Sequence, residues 1–367
     1  MESAGRAGLR RGGEVAETHL APPPGVDIDA LNEWITHAGT DLGDGAIKTA
    51  RPLTGGTQNI SIQVERESGP RLVLRRAGLR KGEDGDATIL REARVLTALA
   101  GAEVPSPRVL AICPDRDVIG GAFYLMEFVD GYNPALGLRP PHDSDPAAQH
   151  DIGLSLVDAA AHLGQVDHVA IGLAGLSSGS GWLERQVDRW LRYADSYLGL
   201  TGYVPDPTRT ERLGLLQDWL NASRPSECRL GLVHGDLQFA NVLVSFDTAQ
   251  VAAVVDWELC TVGDPLLDLG HLLATWPRDP DLGGRLFGLA GLPSDQEVIA
   301  RYQATSGTSL ANLAWFRVLA CFRLSIILEA TFARSCAGLT KASLGTRLHR
   351  FSEILLNRGL ALVTSSG

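Results

Sequence analysis

The stretch of sequence that decides the fold is His234-Gly235-Asp236-Leu237-Gln238-Phe239-Ala240-Asn241, and fifteen residues later the chain reads Asp256-Trp257-Glu258. An apolar run, Val251 to Val255, immediately precedes the second block. In kinase-type sites, an Asp and an Asn five positions apart, followed by another Asp after a buried strand, provide the catalytic base and the ligands of a metal ion. The sequence therefore predicts a site for phosphoryl transfer.

The residue types in these blocks suit that chemistry. Phosphoryl transfer mainly requires that a hydroxyl be aligned with the γ-phosphate and that charge be neutralised by Mg²⁺, a cation that prefers oxygen ligands. Asp236 is the candidate base, Asn241 would give the metal a neutral oxygen, and Asp256 would give it a carboxylate. Leu243-Val244 and Val251 to Val255 are predicted to form a hairpin that brings Asn241 and Asp256 together.

Each block has a structural explanation when it is considered alone. A lone His-Gly-Asp is usually a turn, and an Asp after an apolar strand is usually a cap or a loop residue. The order and spacing of the blocks, with a β-ribbon between them, make the combined pattern specific for catalysis. His234 is expected to brace the loop by hydrogen bonds rather than to move protons.

Length and composition indicate an ordinary globular protein of two lobes. The chain has 367 residues, of which 44% are hydrophobic and 21% charged, and its net charge is −10. The negative charge argues against nucleic-acid binding, and five scattered cysteines without CxxC spacing suggest neither a zinc site nor a disulfide framework. No apolar run approaches the about eighteen residues of a membrane span, and residues 1–24 lack the apolar region of a secretory signal. We expect a flexible tail at 1–24 and a cytoplasmic protein that does not span a membrane; the oligomeric state stays open.

Hydrophobic periodicity predicts an α+β protein with a β-rich and a helical lobe. Residues 25–129 are predicted to form the β-rich lobe. This lobe begins with a helix at Asp27 to His37, and a five-stranded antiparallel sheet with one helix, Asp86 to Ala100, follows. Residues 130–367 are predicted to be helical apart from the catalytic hairpin, and a cleft between two such lobes is the usual place for a nucleotide. The helices are expected at Ala147 to Leu163, Trp182 to Tyr197, Thr208 to Asn221, Pro265 to Ala274, Ser294 to Ala304, Leu310 to Ala337 and Leu344 to Thr364.

A glycine-rich segment lies before the first alternating strand, where backbone amides could approach phosphate oxygens. A Gly-Gly hairpin turn without a ligand is the commoner explanation of the segment alone, since neither GxGxxG nor GxxxxGK[ST] is present. Its position relative to Asp236 favours the nucleotide interpretation. The candidate contacts in it are Thr54, Gly55, Gly56, Thr57 and Asn59.

Two further features complete the predicted nucleotide site. A kinase-like site needs a cation on the third strand that is tied to a carboxylate on the following helix, and Arg75 and Glu92 hold those places. A solvated salt bridge is the alternative for this pair; Arg binds a phosphate with two parallel hydrogen bonds, whereas Lys acts as a point charge. Glu127, Phe128 and Val129 would form a hinge that presents its backbone to an adenine edge, unless they are merely an edge strand.

These residues resemble the aminoglycoside phosphotransferase (APH) family, which has a bilobal protein-kinase-like fold. The resemblance spans roughly Ala30 to Leu362 and is carried by the two acidic blocks and by Gly263-Asp264-Pro265-Leu266-Leu267-Asp268-Leu269-Gly270. Within the family, Thr54 to Asn59, Val73 to Arg76 and Leu183 to Trp190 look most like the branch that occurs fused to some acyl-CoA dehydrogenases.

The resemblance implies a role for most of the candidate residues. It implies ATP or GTP as co-substrate, Asp236 as catalytic base, Asn241 and Asp256 as Mg²⁺ ligands, and Arg75 near the phosphates. Asp264 and Asp268 are implied to brace the catalytic hairpin. Acceptors in the family range from antibiotics and amino alcohols to hydroxyacyl-CoA thioesters in the dehydrogenase-linked branch, so the resemblance leaves the acceptor open.

The sequence leaves two rival interpretations. Gly175-Leu176-Ser177-Ser178-Gly179 matches the GxSxG nucleophile pattern of α/β-hydrolases, with His271 and His349 downstream, but so Gly/Ser-rich a segment is more typical of a loop. The second rival is a non-catalytic nucleotide-binding module that retains the fold, which Arg75 in place of Lys motivates.

Side chains on the predicted helices of the large lobe are the candidates for lining the acceptor pocket. Aromatic residues with interspersed arginines would suit an anionic, partly apolar acceptor such as an acyl-CoA, although a core and a solvated face explain the same pattern. Helical periodicity does not say which of them point inward. The candidates are Trp182, Arg185, Arg189, Trp190, Tyr193, Tyr197, Trp315, Arg317, Phe322 and Arg323.

Overall fold

The β-rich lobe is built on five strands. The computed structural model describes residues 25–38, 42–53, 59–78, 82–176 and 181–365; the predicted tail at 1–24 and the candidate contacts Thr54 to Thr57 lie outside these ranges. The strands are β1 (Ile47–Pro52), β2 (Asn59–Arg66), β3 (Leu72–Ala77), β4 (Val109–Cys113) and β5 (Phe123–Glu127). They pair antiparallel in the order β1-β2-β3-β5-β4, which confirms the predicted sheet.

Helices cover both faces of this sheet: α1 (Ile28–His37), α2 (Gly82–Leu99) and the single turn α3 (Arg116–Ile119). The α1 helix packs against one face, where Leu31 and Ile35 join the same apolar cluster as Ile62 and Leu74. The α2 helix packs against β3 and β5 on the other face. Because β3 is central and covered on both faces, every one of its residues is buried, including its two arginines.

The α2 helix begins at Gly82, four residues before the predicted start at Asp86. Asp86 is the kind of residue that caps a helix, but its buried carboxylate accepts the backbone N–H of Ala122 from across the lobe at 3.0 Å. This long-range hydrogen bond places Asp86 inside the helix. The sequence alone carries no signal for it.

The second lobe is mainly helical, as predicted, and the helix ends differ from the prediction by a few residues. Asp145 and Asp206 cap two of the helices, and each is followed by a proline in the first turn. The division between the lobes at Val129 stays a prediction. The helices are α4 (Pro146–Gln165), α5 (Trp182–Leu198), α6 (Pro207–Ala222), α7 (Leu266–Thr275), α8 (Pro280–Gly283), α9 (Asp295–Ser306), α10 (Leu313–Cys336) and α11 (Ala342–Ser365).

Two short β-ladders interrupt these helices. The predicted catalytic hairpin is present, with β7 (Val242–Val244) antiparallel to β8 (Val251–Val254). The prediction that only this hairpin interrupts the helices is wrong, because β6 (Gly231–Val233) pairs with β9 (Thr261–Gly263). Three-residue strands are too short for an alternating pattern to reveal them.

None of the described helices is long and apolar enough to cross a lipid bilayer.

Candidate active site

Asp268 anchors the loop that carries the predicted base. It lies in the first turn of α7, is 1% exposed, and its carboxylate accepts the backbone N–H groups of His234 at 2.7 Å and of Gly235 at 2.9 Å. Gly235 has φ of +83°, and a Cβ there would stand 2.9 Å from the Leu259 carbonyl oxygen, so only glycine fits. Burial raises the pKa of Asp268 above its ordinary value, and the neighbouring His234 opposes that shift.

His234 is fully buried between this loop and the hairpin. Its Nδ1 accepts the backbone N–H of Asp236 at 3.2 Å, which leaves Nε2–H to donate to the Val255 carbonyl at 3.1 Å. Its ring also meets the indole of Trp257 edge-on, with centroids 4.8 Å apart. Both ring nitrogens are thus engaged with backbone groups, so His234 ties the Asp236 loop to the end of β8.

The Asp236 carboxylate is held by three side chains. Asn241 Nδ2 donates to Oδ2 at 2.7 Å and to the Asp236 carbonyl at 2.8 Å, Gln238 Nε2 donates to Oδ1 at 2.9 Å, and His271 Nε2 lies 3.2 Å from Oδ1. Burial raises the pKa of Asp236, but His271, His234 and the guanidinium of Arg323 act in the opposite direction and together hold the pKa below its ordinary value. The carboxylate is therefore ionised and oriented at neutral pH.

Asp256 follows β8 in a left-handed conformation, with φ of +67°, the only positive φ of a non-glycine residue among the described residues. Arg75 Nη2 lies 2.5 Å from its Oδ1. The same guanidinium holds Glu92, with Nε donating to Oε2 and Nη2 lying near Oε1, both at 3.1 Å. Glu92 Oε1 also accepts the Trp257 backbone N–H at 3.2 Å, so one Arg75–Glu92 pair fixes the β3 strand, the α2 helix and the Asp256 turn together.

The electrostatics of this pair follow from burial. Burial would lower the pKa of Arg75, but the negative charges of Glu92 and Asp256 outweigh it and raise the pKa above its ordinary value, so the guanidinium stays protonated. Burial raises the pKa of Glu92 against the effect of Arg75. The guanidinium and the Trp257 backbone N–H both stabilise Glu92 as the carboxylate, and Arg75 is the larger of the two effects.

Asn241 and Asp256 fit the chemistry of a Mg²⁺ ligand pair. Asn241 donates both described side-chain hydrogen bonds to Asp236 from Nδ2, so Oδ1 is the atom that remains for a cation. Asp256 already faces a cation, the Arg75 guanidinium. Within the described ranges, no three His, Cys, Asp or Glu side chains form a metal cluster. Mg²⁺ usually takes one or two protein ligands, as Asn241 and Asp256 would be, and completes its shell with phosphate and water oxygens.

A cavity of about 320 Å³ opens between the lobes beside these residues. Arg75, Glu92, Asn241 and Asp256 line it. Asp236 is not among its lining residues, but it contacts Asn241, which is. The apolar walls, which the sequence did not single out, include Leu53, Val73, Leu96, Pro107, Tyr124, Met126, Leu136, Leu243 and Val255.

The predicted hinge residues Glu127, Phe128 and Val129 also line the cavity. The backbone N–H of Glu127 donates to the Arg108 carbonyl at 3.0 Å, and that of Phe128 donates to the Arg71 carbonyl at 3.1 Å. These two donors are therefore committed within the β-rich lobe. Val129 is the hinge residue whose N–H has no backbone partner among the described residues, which makes it the candidate donor for a purine edge.

The remaining predicted residues lie around this centre. Asn59 does not line the cavity; its Nδ2 donates to Glu258 Oε2 at 3.0 Å and so links β2 to the turn after β8. Asp264 is buried and accepts the backbone N–H groups of Leu266 at 3.0 Å and Arg229 at 3.2 Å, and its burial raises its pKa. Asp264 thus holds the turn that leads into α7.

Sequence reasoning missed His271 as a neighbour of the base and did not place Arg323. Arg323 is 3% exposed, and its Nη2 donates to the Gly235 carbonyl at 2.6 Å; burial lowers its pKa to about 10. Its guanidinium stands 5.1 Å from the Trp190 ring, and Arg189 lies at the same distance from that ring. Arg323 therefore reaches the residue before the base, and Trp190 packs beside it. Trp315 and Arg317 point elsewhere, to the Leu220 carbonyl and to Asp295.

The hydrolase alternative finds no support in the described residues. Residues 168–172 form turns rather than a strand, and Gly175 and Leu176 lie in a short 3-10 turn; Ser177, Ser178 and Gly179 are outside the described ranges. Each of the two downstream histidines has a carboxylate neighbour of its own. His271 lies by Asp236, and His349 Nδ1 contacts Glu329 Oε2 at 2.7 Å.

Known proteins are similar to this chain in sequence and in fold. Residues 49–316 match the model of the APH phosphotransferase enzyme family. Acyl-CoA dehydrogenase family member 11 of Gallus gallus is 31% identical over 315 residues, which are 81% of this chain but 39% of that protein. The chain thus spans less than half the length of the curated relatives that it matches, including a probable acyl-CoA dehydrogenase of Arabidopsis thaliana with 31% identity over 80% of this chain and 37% of that protein.

Solved structures agree with this assignment. A putative aminoglycoside phosphotransferase from Ralstonia eutropha superposes with a TM-score of 0.74 and 26% identity, covering 92% of this chain and 99% of that chain. A variant of APH(4)-Ia in ternary complex with AMP-PNP and hygromycin B shares the fold, with a TM-score of 0.59 and 16% identity over 88% of this chain and 98% of that chain. Family and neighbours support small-molecule phosphotransfer by a kinase-type enzyme. The chain belongs to the APH phosphotransferase enzyme family.

Proposed function

We propose that the protein transfers the γ-phosphate of ATP or GTP to a hydroxyl of a small acceptor in a Mg²⁺-dependent reaction. Asp236 is the base, and Asn241 and Asp256 are the metal ligands. The observation that carries the proposal is the Asp236 carboxylate, ionised and held by Asn241, beside a cavity whose wall contains Arg75 and Asp256. A turn of purely structural purpose has no need of all of these groups together.

The residues of this chain would divide the chemistry among them. Asp236 accepts or orients the proton of the acceptor hydroxyl, and its depressed pKa keeps it unprotonated at neutral pH. Arg75 lines the cavity and would face the phosphates, the apolar cavity walls suit a purine, and Val129 N–H suits its hydrogen-bonding edge. Mg²⁺, when bound, would bridge phosphate oxygens and neutralise their charge. The AMP-PNP complex of the APH(4)-Ia neighbour supports a nucleotide co-substrate.

The acceptor we favour is anionic and partly apolar, such as a hydroxyacyl-CoA. Arg323 lies against Gly235, the residue before the base, and Arg189 and Trp190 lie next to Arg323. Arg189 is exposed, and its pKa is lowered by partial burial and by the nearby positive charges of Arg91 and Arg192. A positive surface of this kind attracts an anion and repels a polycation.

Two alternatives keep the same fold. The Ralstonia neighbour is described as a putative aminoglycoside phosphotransferase, so an aminoglycoside or an amino alcohol is the alternative acceptor. The other is a nucleotide-binding module without catalysis. The cationic cluster next to Asp236 weighs against the first, and the ionised base next to two candidate metal ligands weighs against the second.

A nucleotide-consumption screen distinguishes these proposals. ATP and GTP are each incubated with hydroxyacyl-CoAs, aminoglycosides and amino alcohols, with Mg²⁺ or with EDTA. We expect turnover only with Mg²⁺ and only with the CoA thioesters, lost in Asp236→Ala and Asp256→Asn but retained in Asp247→Ala, whose carboxylate lies in the exposed turn of the same hairpin. Unchanged turnover in Asp236→Ala would refute the mechanism, and activity on aminoglycosides alone would refute the acceptor. Nucleotide binding without any turnover would favour the non-catalytic module.

A further inference from the structure

One buried histidine has no evident structural purpose. His271 is 0% exposed, and every other residue of α7 up to Ala274 is also buried, all of them apolar except Asp268. Its Nδ1 has no hydrogen-bond partner within the described parts of the chain. The ring reaches the base itself, since Nε2 lies 3.2 Å from Asp236 Oδ1.

An imidazole at such a place is costly to keep. Burying a polar group without a hydrogen bond destabilises a protein, and a leucine would fit an apolar helix at no such cost. The approach of Nε2 to Oδ1 is close enough for a hydrogen bond but too oblique to be a well-formed one. Catalytic hydrogen bonds are often poorly aligned before the substrate binds and tighten in the Michaelis complex.

The contacts of the two carboxylate oxygens of Asp236 differ. A carboxylate offers about four lone-pair sites, two on each oxygen. On Oδ1, Gln238 donates to one and His271 Nε2 lies 3.2 Å away, facing the other; on Oδ2, Asn241 donates to one. One lone pair of Oδ2 therefore remains for a further donor.

We propose that His271 is a positioning residue that occupies Oδ1 of Asp236 through Nε2–H, so that Oδ2 is the oxygen that accepts the proton of the acceptor hydroxyl. The inference rests on the proposed function. In the step concerned, the acceptor O–H bond breaks and its proton passes to Oδ2. The acceptor oxygen bonds to the γ-phosphorus, and the bond from that phosphorus to the nucleoside diphosphate breaks. Without His271, Oδ1 has a free lone pair and the carboxylate can rotate away from the hydroxyl.

Three substitutions separate this role from packing. His271→Leu removes the donor, His271→Asn withdraws it toward the position of Nδ1, and His271→Gln keeps an N–H close to the position of Nε2. We expect His271→Leu and His271→Asn to lower kcat by about 10- to 100-fold and to change KM for nucleotide and acceptor by less than about twofold. His271→Gln should keep most of the wild-type kcat. The control is Leu272→Met, a volume-conserving change in the next residue of α7, which should leave kcat unchanged.

A stability measurement and a spectrum complete the test. Because Nδ1 is buried without a partner and the rest of α7 other than Asp268 is apolar, His271→Leu should be at least as stable to urea as the wild type, which a merely structural histidine would not be. In protein labelled with ¹⁵N-histidine, two-bond ¹H–¹⁵N correlations should show His271 with its proton on Nε2, and Asp236→Asn should shift that signal.

The outcomes separate the two proposals. If His271→Leu keeps wild-type kcat while Asp236→Ala is inactive, the inference about His271 is wrong and the proposed function stands. If the wild type turns over no acceptor, the proposed function fails, and the ¹H–¹⁵N spectrum then tests the role of His271. A proton on Nδ1, or a His271 signal that does not change in Asp236→Asn, would overturn the inference about His271.

Discussion

Replacing Arg75 by leucine should lower the free energy of unfolding by about 3–5 kcal/mol at pH 8. Arg75 is 8% exposed and Glu92 1% exposed, and the two share two contacts of 3.1 Å. The cost comes less from the lost attraction than from the carboxylate that stays buried without its cation. Asp256 adds little to the cost, because a third of its side chain is exposed to water.

A second substitution tests this explanation. Glu92 Oε1 also accepts the Trp257 backbone N–H, so Glu92→Leu would leave a buried donor without a partner. Glu92→Gln keeps an acceptor oxygen and removes the charge. Arg75→Leu combined with Glu92→Gln should therefore recover most of the loss and remain within about 1–2 kcal/mol of the wild type.

The stability that is lost in Arg75→Leu should depend on pH, and the Glu92 carboxylate sets the direction of that dependence. Burial raises the pKa of Glu92 in the folded protein, and loss of the guanidinium raises it further above the unfolded value of about 4.3. The penalty of the ionised carboxylate is absent below that unfolded value and grows as the pH rises toward the folded pKa. In urea titrations followed by tryptophan fluorescence, the Arg75→Leu deficit should be smaller at pH 5 than at pH 8, and the double variant should show no such difference. An equal deficit at both pH values, or one below about 1 kcal/mol at pH 8, would contradict the reasoning.

Three further predictions concern the surroundings of the base. Gly263→Ala should lower the free energy of unfolding, measured by urea titration, by about 1–3 kcal/mol, because its Cβ would stand 2.5 Å from the Trp182 ring. Gly214→Ala is the control: this position lies in α6 with open space around it, so the substitution should raise the free energy of unfolding by about 0.5–1 kcal/mol. Asp268→Ala should cost about 2–5 kcal/mol by the same assay, because two buried N–H groups lose their acceptor. Asp256→Asn should keep the stability to within about 1 kcal/mol, since Asn tolerates the left-handed backbone, yet abolish Mg²⁺-dependent turnover; retained turnover would remove Asp256 from the metal site.

Local pattern predicted the fold where the pattern was long enough to repeat. Alternation in β2 and helical spacing in α1 placed both elements, and the short polar turn between two apolar runs placed the catalytic hairpin. The ladder of β6 with β9 was missed, because three residues cannot alternate recognisably and the partners lie far apart in the chain. The start of α2 was misplaced because Asp86 serves a distant backbone N–H rather than the end of its own helix.

Prediction of the site depended on how far apart its members lie in the sequence. Asp236, Asn241 and Asp256 lie on one loop and one hairpin, so their spacing is fixed by local geometry and is visible in the sequence. His271 and Arg323 reach the same carboxylate from α7 and α10, and no spacing rule connects them to it. Helical periodicity did not show that Arg323 is buried, and only the packing of α10 against α7 and α5 directs this side chain toward Gly235.

Arginine at position 75 has a physical consequence that lysine would not have. A guanidinium is a planar fork, so Arg75 can bind Glu92 through two nitrogens and still reach Asp256 with one of them. An ammonium is a single point of charge and cannot keep that geometry at both carboxylates. Under the proposed function, a Mg²⁺ ion at Asp256 would share that carboxylate with a cation of the protein itself, because Arg75 Nη2 lies 2.5 Å from Oδ1. The phosphates of the nucleotide would attract both cations. Under the proposed function, nucleotide binding and metal binding are coupled through this one side chain.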